Sequence, residues 1–282
     1  MTIPLTSDAK EPLIAIRPPG RFSPLALGEL GQYRDLFMAL AVRDVKLRYK
    51  QTALGVIWVI LQPLAGALIF TLVFNKVAKL DSEELPYIVF TYAGLLGWNA
   101  FNSTLTKASA CVVGNAQLVS KVFFPRLILP LSTVLSTLID FAVGMSVMIV
   151  LMVVFGVAPG PGLLLMPVIL ALLILLAVGL GLYTSALMVQ FRDLQYAIPV
   201  MMQFLLYASP VAYAVSAVPE KWRPLYFLNP ITGLLEAFRW SLLNRGDLNL
   251  GYLAYSAAAV GVIFVFGTFA FKRMERKFAD VI

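Results

Sequence analysis

Between residues 162 and 191 the chain carries no charged side chain, and between 127 and 157 it carries one, Asp140. A helix crosses the hydrocarbon core of a bilayer with about 20 apolar residues, and unpaired backbone groups are not tolerated there. These runs therefore restrict the fold to membrane-spanning helices. Further charge-free runs occupy 55–74, 86–106, 194–218 and 248–271. The sequence thus predicts an all-α integral membrane protein with six transmembrane helices. Residues 224–244, between the fifth and sixth, hold Glu236 and Arg239 in a moderately apolar setting and are expected to form a re-entrant helical hairpin.

Charge fixes the expected orientation. With both termini in the cytoplasm, eight Lys/Arg precede the first span, three lie between spans two and three, one between four and five, and four follow the sixth, so 16 of 22 are inside. Charged residues make up only 13% of the chain against roughly 25% in soluble domains. The net charge of +7 is accordingly read as attraction to lipid headgroups rather than to nucleic acid. One cysteine, Cys111, allows no internal disulfide, and the absence of histidine removes the commonest general acid–base.

Residues 1–29 hold five prolines and no apolar core, and read as a flexible cytoplasmic lead-in without a signal peptide. Residues 30–53 read as an amphipathic interface helix and linker. Leu30, Tyr33, Phe37, Leu40, Ala41 and Val45 share one face, and Asp35, Arg43, Lys46 and Lys50 the other. The membrane domain then runs over 54–271, with a cytoplasmic tail at 272–282.

No GxxxxGKS or GxxxxGKT loop is present, so ATP is not cradled by that route, and no HExxH or GxSxG signature points to a hydrolase. Four segments carry a more specific signal. The first is Arg43-Asp44-Val45-Lys46-Leu47-Arg48-Tyr49-Lys50-Gln51-Thr52-Ala53-Leu54-Gly55, leading to Trp58 and Gln62-Pro63. The second runs from Asn115 to Lys121-Val122-Phe123-Phe124-Pro125-Arg126, with Leu129-Pro130 following. The third joins Arg192-Asp193 through Gln203 to Ser209-Pro210-Val211, and the fourth is Asn229-Pro230 with Arg239. Together, over residues 43–271, they resemble the permease subunits of ATP-binding-cassette exporters for polysaccharides and polyol phosphates.

That resemblance implies a homodimer working with two copies of a separate ATPase, which binds the ATP and Mg; no cofactor is expected on this chain itself, and the chain is not expected to be an enzyme alone. It implies a polyprenyl-diphosphate-linked glycan, O-antigen-like, or a polyol phosphate as substrate, moved outward across a bacterial cytoplasmic (inner) membrane. It also makes Asn115, Gln117, Leu118, Lys121, Phe123, Phe124, Pro125 and Arg126 the segment that couples to the ATPase. Pro125 disfavours helical geometry at Phe124, so a short helix over 115–124 is expected. The plainer reading of its aromatics and cations is a lipid-interface anchor.

Arg43, Lys46, Arg48 and Lys50 sit at the expected headgroup level. They are read either as an entrance site for a substrate pyrophosphate or as topological anchors. Tyr92, Trp98, Tyr207, Tyr213 and Arg239 are candidates for the pathway, against packing or membrane-belt duty. Asp140, the one acid within a predicted span, is read either as a further pathway or intersubunit residue or as bonded to a Ser or Thr on a neighbouring helix. Rival classes are an ABC exporter of small lipids or drugs, a secondary transporter, which would carry ionisable coupling residues near the membrane midplane, and a membrane-bound transferase acting on polyprenyl phosphates, which would need a cluster of cytoplasmic carboxylates for metal.

Overall fold

The computed structural model describes residues 31–50, 55–79, 82, 85–246, 248–276 and 278. The proline-rich lead-in over 1–29, residues 51–54 and positions 277 and 279–282 of the tail lie outside them. Helices make up the regular structure among the described residues, with no strand.

Helix α1 (Arg34–Lys50) is followed by α2 (Gly55–Phe70), which continues as a π-helical stretch Thr71–Val77. Helix α3 (Tyr87–Gly114) leads into the short α4 (Ala116–Lys121), then α5 (Ile128–Phe155), a 3-10 turn Pro161–Leu165 and α6 (Met166–Gln190). Helix α7 (Leu194–Tyr207) precedes a turn-rich segment containing α8 (Arg223–Tyr226), and α9 (Pro230–Leu243) and α10 (Leu250–Glu275) complete the described chain. The terminators are legible in the residues. Gly156 takes the left-handed conformation (φ 68°) that closes α5, and Val157 donates back to the Met152 carbonyl at 2.9 Å. The Asn229 and Asn249 side chains cap α9 and α10 by accepting from Ile231 N and Gly251 N.

Among the described residues, four helical stretches are both long and apolar enough to cross a membrane: Ile57–Val77, Ile128–Phe155, Pro161–Gln190 and Leu250–Glu275. The expected second span forms α3, 28 residues and about 42 Å long, but Asn99, Asn102 and Lys107 lower its hydropathy. Its polarity is tolerated because α3 is the central helix, packed by α2, α5, α6, α7 and α9. Its hydroxyls bond its own carbonyls: Thr91 to Tyr87 at 2.8 Å, Thr104 to Ala100 at 2.7 Å and Ser109 to Leu105 at 2.7 Å. The expected fifth span is shorter than its apolar run. Helix α7 is 14 residues and stops at Tyr207, two residues before Ser209-Pro210, where proline disfavours helical geometry.

Residues expected to form the hairpin give α8 and α9. Ile231, Leu234, Leu235, Phe238 and Leu242 of α9 are buried, and the helix packs against α3, α6 and α10. Helices α6 and α10 cross at Gly179 and Gly267. A Cβ on Gly267 would lie 2.0 Å from the Gly179 carbonyl oxygen, so only glycine permits this approach. Helix α1 buries Leu40 and Ala41 and rests on α5. Its apolar face is therefore spent on the bundle as well as on any interface. A second core gathers Leu40 with Cys111, Phe124, Ile128, Leu182, Phe271 and Phe278 at the end of the bundle that carries α1 and α4.

Candidate functional site

Three polar constructions stand out from the apolar packing, and each contains residues singled out from the sequence. The first joins α1 to the bundle. Asp140, on α5, accepts the Tyr49 hydroxyl at 2.5 Å and Arg48 Nε at 3.0 Å on Oδ1, and Lys107 Nζ at 3.0 Å on Oδ2. Lys107 also donates to Ser136 Oγ at 2.9 Å and Thr137 Oγ1 at 3.4 Å, both on α5. Burial, then the hydrogen bond to Asp140, pushes the Tyr49 hydroxyl up to about 12, so it stays a proton donor to the carboxylate.

The Ser or Thr expected from a neighbouring helix is not what Asp140 bonds: its partners are the Tyr49 hydroxyl and two cations. Arg43, by contrast, pairs with its neighbour Asp44 at 2.8 Å, and Lys46 is exposed. The Lys50 side chain lies outside the described residues. Lys107 was not singled out from the sequence, where it reads as one of three cations following the second run. The usable signal was Asp140 itself: a carboxylate within a span requires a cation, and Lys107 is the cation nearest the end of the adjoining run.

The second construction is the segment 115–126. Asn115 Nδ2 bonds the Cys111 carbonyl at 2.7 Å and holds the turn from α3 into α4. Helix α4 ends at Lys121, three residues earlier than expected, because Val122 is already extended (φ −124°, ψ 133°). The extended backbone sends successive side chains to opposite sides. Phe123 is 77% exposed, whereas Phe124 is 5% exposed and packed in the second core. Asn115, Gln117, Leu118 and Lys121 line, with Arg43, an open cavity of ≈ 640 Å³ between α1 and α4. Arg126 turns inward. Its backbone N–H donates to Glu275 Oε1 at 3.2 Å, its guanidinium donates to the Glu275 carbonyl at 2.5 Å, and it lies 5.7 Å from the Phe278 ring centroid. Sequence reasoning grouped Arg126 with Phe123; the structure uses it to fasten the end of α10 beneath the segment.

The third construction lies at the opposite end of α3. Arg239 on α9 is 3% exposed. It pairs with Glu236 at 3.3 Å, donates to the Pro210 carbonyl, and sits 4.0 Å from the centroid of the Phe90 ring. Tyr87 donates to the Ala212 carbonyl at 2.7 Å, and Asn229 donates to Ser209 Oγ at 3.1 Å. The third and fourth sequence segments therefore meet here and pin the irregular chain after α7 to α3. At Gly94 any Cβ would fall 2.3 Å from the Val211 carbonyl oxygen.

The candidate pathway aromatics divide. Tyr92 is fully buried with its hydroxyl on the Gly144 carbonyl at 3.1 Å, and Trp98 is buried against Phe101. Tyr207 is exposed, and Tyr213 bonds both the Tyr207 carbonyl at 3.0 Å and the Tyr226 hydroxyl at 2.7 Å. With Tyr196, Phe204 and Trp58, Tyr207 belongs to an exposed aromatic population on α2 and α7. No group of three or more His, Cys, Asp or Glu positioned to hold a metal occurs among the described residues.

Comparison with known proteins places this geometry in context. Residues 35–243 match the model of the family described as ABC-2 type transporter. The chain is 29% identical to the O-antigen export system permease protein RfbA of Klebsiella pneumoniae, over 90% of this chain and 97% of that protein. It is 29% identical to the protein of the same name from Myxococcus xanthus, over 90% of this chain and 98% of the relative. Polysialic acid transport protein KpsM of Escherichia coli is 24% identical over 77% of this chain and 85% of its own length.

Proposed function

Because the chain belongs to the ABC-2 type transporter family, we propose that it is the membrane subunit of an ATP-driven exporter of polysaccharide. The observation that carries this reading is the near end-to-end match to relatives named as O-antigen export permeases, which spans 97% of the Klebsiella protein. The substrate is an O-antigen-like glycan on a polyprenyl-diphosphate carrier, or a related polyol phosphate, moved outward across the inner membrane. Two copies of the chain assemble with two copies of an ATPase, which supplies the ATP site and its Mg.

In this reading the subunit crosses the membrane six times with both termini in the cytoplasm. Helices α3 and α7 complete the set of spans, and α8 and α9 enter as a hairpin without crossing. Helix α3 is shielded from lipid by its neighbours, which supports a span of lower hydropathy than an isolated helix would need. The segment 115–124 meets the ATPase with Phe123, an aromatic left 77% exposed by the described residues. Helix α1 presents its cations to the diphosphate at the inner leaflet, where Arg offers a planar fork to phosphate oxygens.

Hydrolysis tests the division of labour. The purified chain in detergent is expected to release no phosphate from ATP above a blank. Co-expression with its ATPase is expected to yield a complex that hydrolyses ATP and is stimulated by lipid-linked glycan. Robust hydrolysis by the chain alone, with the activity retained after removal of every co-purifying ATPase, would refute the two-subunit account.

A further inference from the structure

Among the described residues, the cluster around Asp140 holds more positive than negative charge. Arg43, Arg48 and Lys107 face Asp44 and Asp140, and Arg43 is taken up by Asp44. Asp140 therefore serves two cations, one from α1 and one from α3, while itself standing on α5. Its side chain is the most withdrawn of the three at 11% exposure, against 22% for Lys107 and 40% for Arg48. Both cations are thus more accessible than the carboxylate they share. Charges at this depth are costly in a membrane protein and are kept where they serve transport.

A carboxylate carries one negative charge on two oxygens. A diphosphate carries more charge on more oxygens and so competes well for an arginine and a lysine held together. The hydroxyls of Ser136 and Thr137, already within hydrogen-bond reach of Lys107 Nζ, remain to hold the lysine when the carboxylate is displaced.

We propose that Arg48 and Lys107 form a two-cation receptacle for the diphosphate of the lipid carrier, and that Asp140 occupies it as a resident counter-ion until the substrate arrives. This rests on the lipid-linked substrate proposed above. Asp140, through Arg48 and Tyr49, also ties the end of α1 to α5. Loading the receptacle exchanges those contacts for phosphate contacts and frees the C-terminal end of α1, while Leu40 and Ala41 keep the helix on the bundle. The substrate thereby signals its own presence to the helix that borders the 115–124 segment across the cavity lined by Arg43, Gln117 and Lys121.

The sign of one substitution separates this arrangement from a purely structural ion cluster. If Asp140 competes with substrate, its removal raises the fraction of receptacle that is free, and apparent affinity rises by the same factor. The test uses the full chain in phosphatidylcholine nanodiscs with a fluorescent polyprenyl diphosphate as probe. Asp140→Asn is expected to bind it about tenfold more tightly. Tyr49→Phe, which loosens Asp140 without altering charge, is expected to shift binding in the same direction by a smaller factor. Lys107→Gln is expected to weaken it about tenfold or more.

Inorganic diphosphate and phosphatidylglycerol are expected to compete much less well than the carrier. Equal competition by either would overturn the carrier as occupant. Should Asp140→Asn fail to fold, Tyr49→Phe decides alone. Normal wild-type binding with both variants unchanged or weaker rejects the resident counter-ion and leaves the proposed substrate standing. A wild-type chain that does not distinguish the diphosphate from the neutral polyprenol rejects both.

Discussion

Arg239→Met is expected to be among the most damaging single changes in this chain, costing about 3–5 kcal/mol, the range for breaking a buried ion pair from one side. Arg239 is 3% exposed and satisfies Glu236, the Pro210 carbonyl and the face of Phe90 at once. Methionine fills most of the volume but leaves the Glu236 carboxylate without its cation and the Pro210 carbonyl without its guanidinium donor. The irregular chain from Ala208 onward would then lose one of its anchors, keeping those from Tyr87 and Asn229. The cost would appear as a fall of about 6–20 °C in the unfolding midpoint in detergent, at roughly 2–4 °C per kcal/mol for large domains. Arg239→Met combined with Glu236→Leu should recover a large part of it, because replacing both members of a buried pair with apolar groups is often near neutral. A single variant as stable as the wild type would show that the cluster contributes nothing to the fold.

The second large effect separates two adjacent phenylalanines. Phe124→Ala removes a ring that is 5% exposed and packed with Ile128, Phe271 and Phe278. It is expected to cost about 3–5 kcal/mol of stability, as for other buried aromatic truncations. Phe123→Ala removes a ring that is 77% exposed, and should leave stability within about 0.5 kcal/mol of the wild type. Its expected effect is on the partner. A central aromatic anchor is typically worth about 2 kcal/mol or more at an interface, so ATPase affinity should fall about 30-fold. The checks are unfolding midpoints for the two single variants and titration of the ATPase against each. Unchanged ATPase affinity in Phe123→Ala would reduce the segment to a lipid-interface anchor.

That contrast shows where sequence reasoning reaches its limit. The pattern Lys121-Val122-Phe123-Phe124-Pro125-Arg126 marks the segment and its helix stop, since proline's constraint on its neighbour is local chemistry. Which ring faces inward depends on an extended Val122 and on a core assembled from α1, α3, α5, α6 and the end of α10, and none of that is encoded in spacing. Long apolar runs read correctly as helices for the same reason the proline did: the bilayer acts on each segment separately. The run over 194–218 misled on length because apolar composition continues past Tyr207, while the backbone there is held by Arg239 and Asn229 from elsewhere in the chain. Asp140 was conspicuous as an acid within a span. Its partners Arg48, Tyr49 and Lys107 come from two other helices and became visible only once α1 was seen to lie on α5. Tyr92 and Trp98 look like any other aromatic in a span, and only packing distinguishes them from exposed Tyr207.

Transport itself is the most direct measurement. The chain and its ATPase, reconstituted together into liposomes with lipid-linked glycan supplied on the ATPase side, should deliver glycan to the opposite leaflet. Delivery would be read as glycan accessible to an impermeant glycosidase. The account predicts accessibility that rises with ATP and Mg, stays at background with a non-hydrolysable analogue, and is lost when either polypeptide is omitted. Glycan crossing at the same rate with this chain omitted, or with ATP absent, would contradict it.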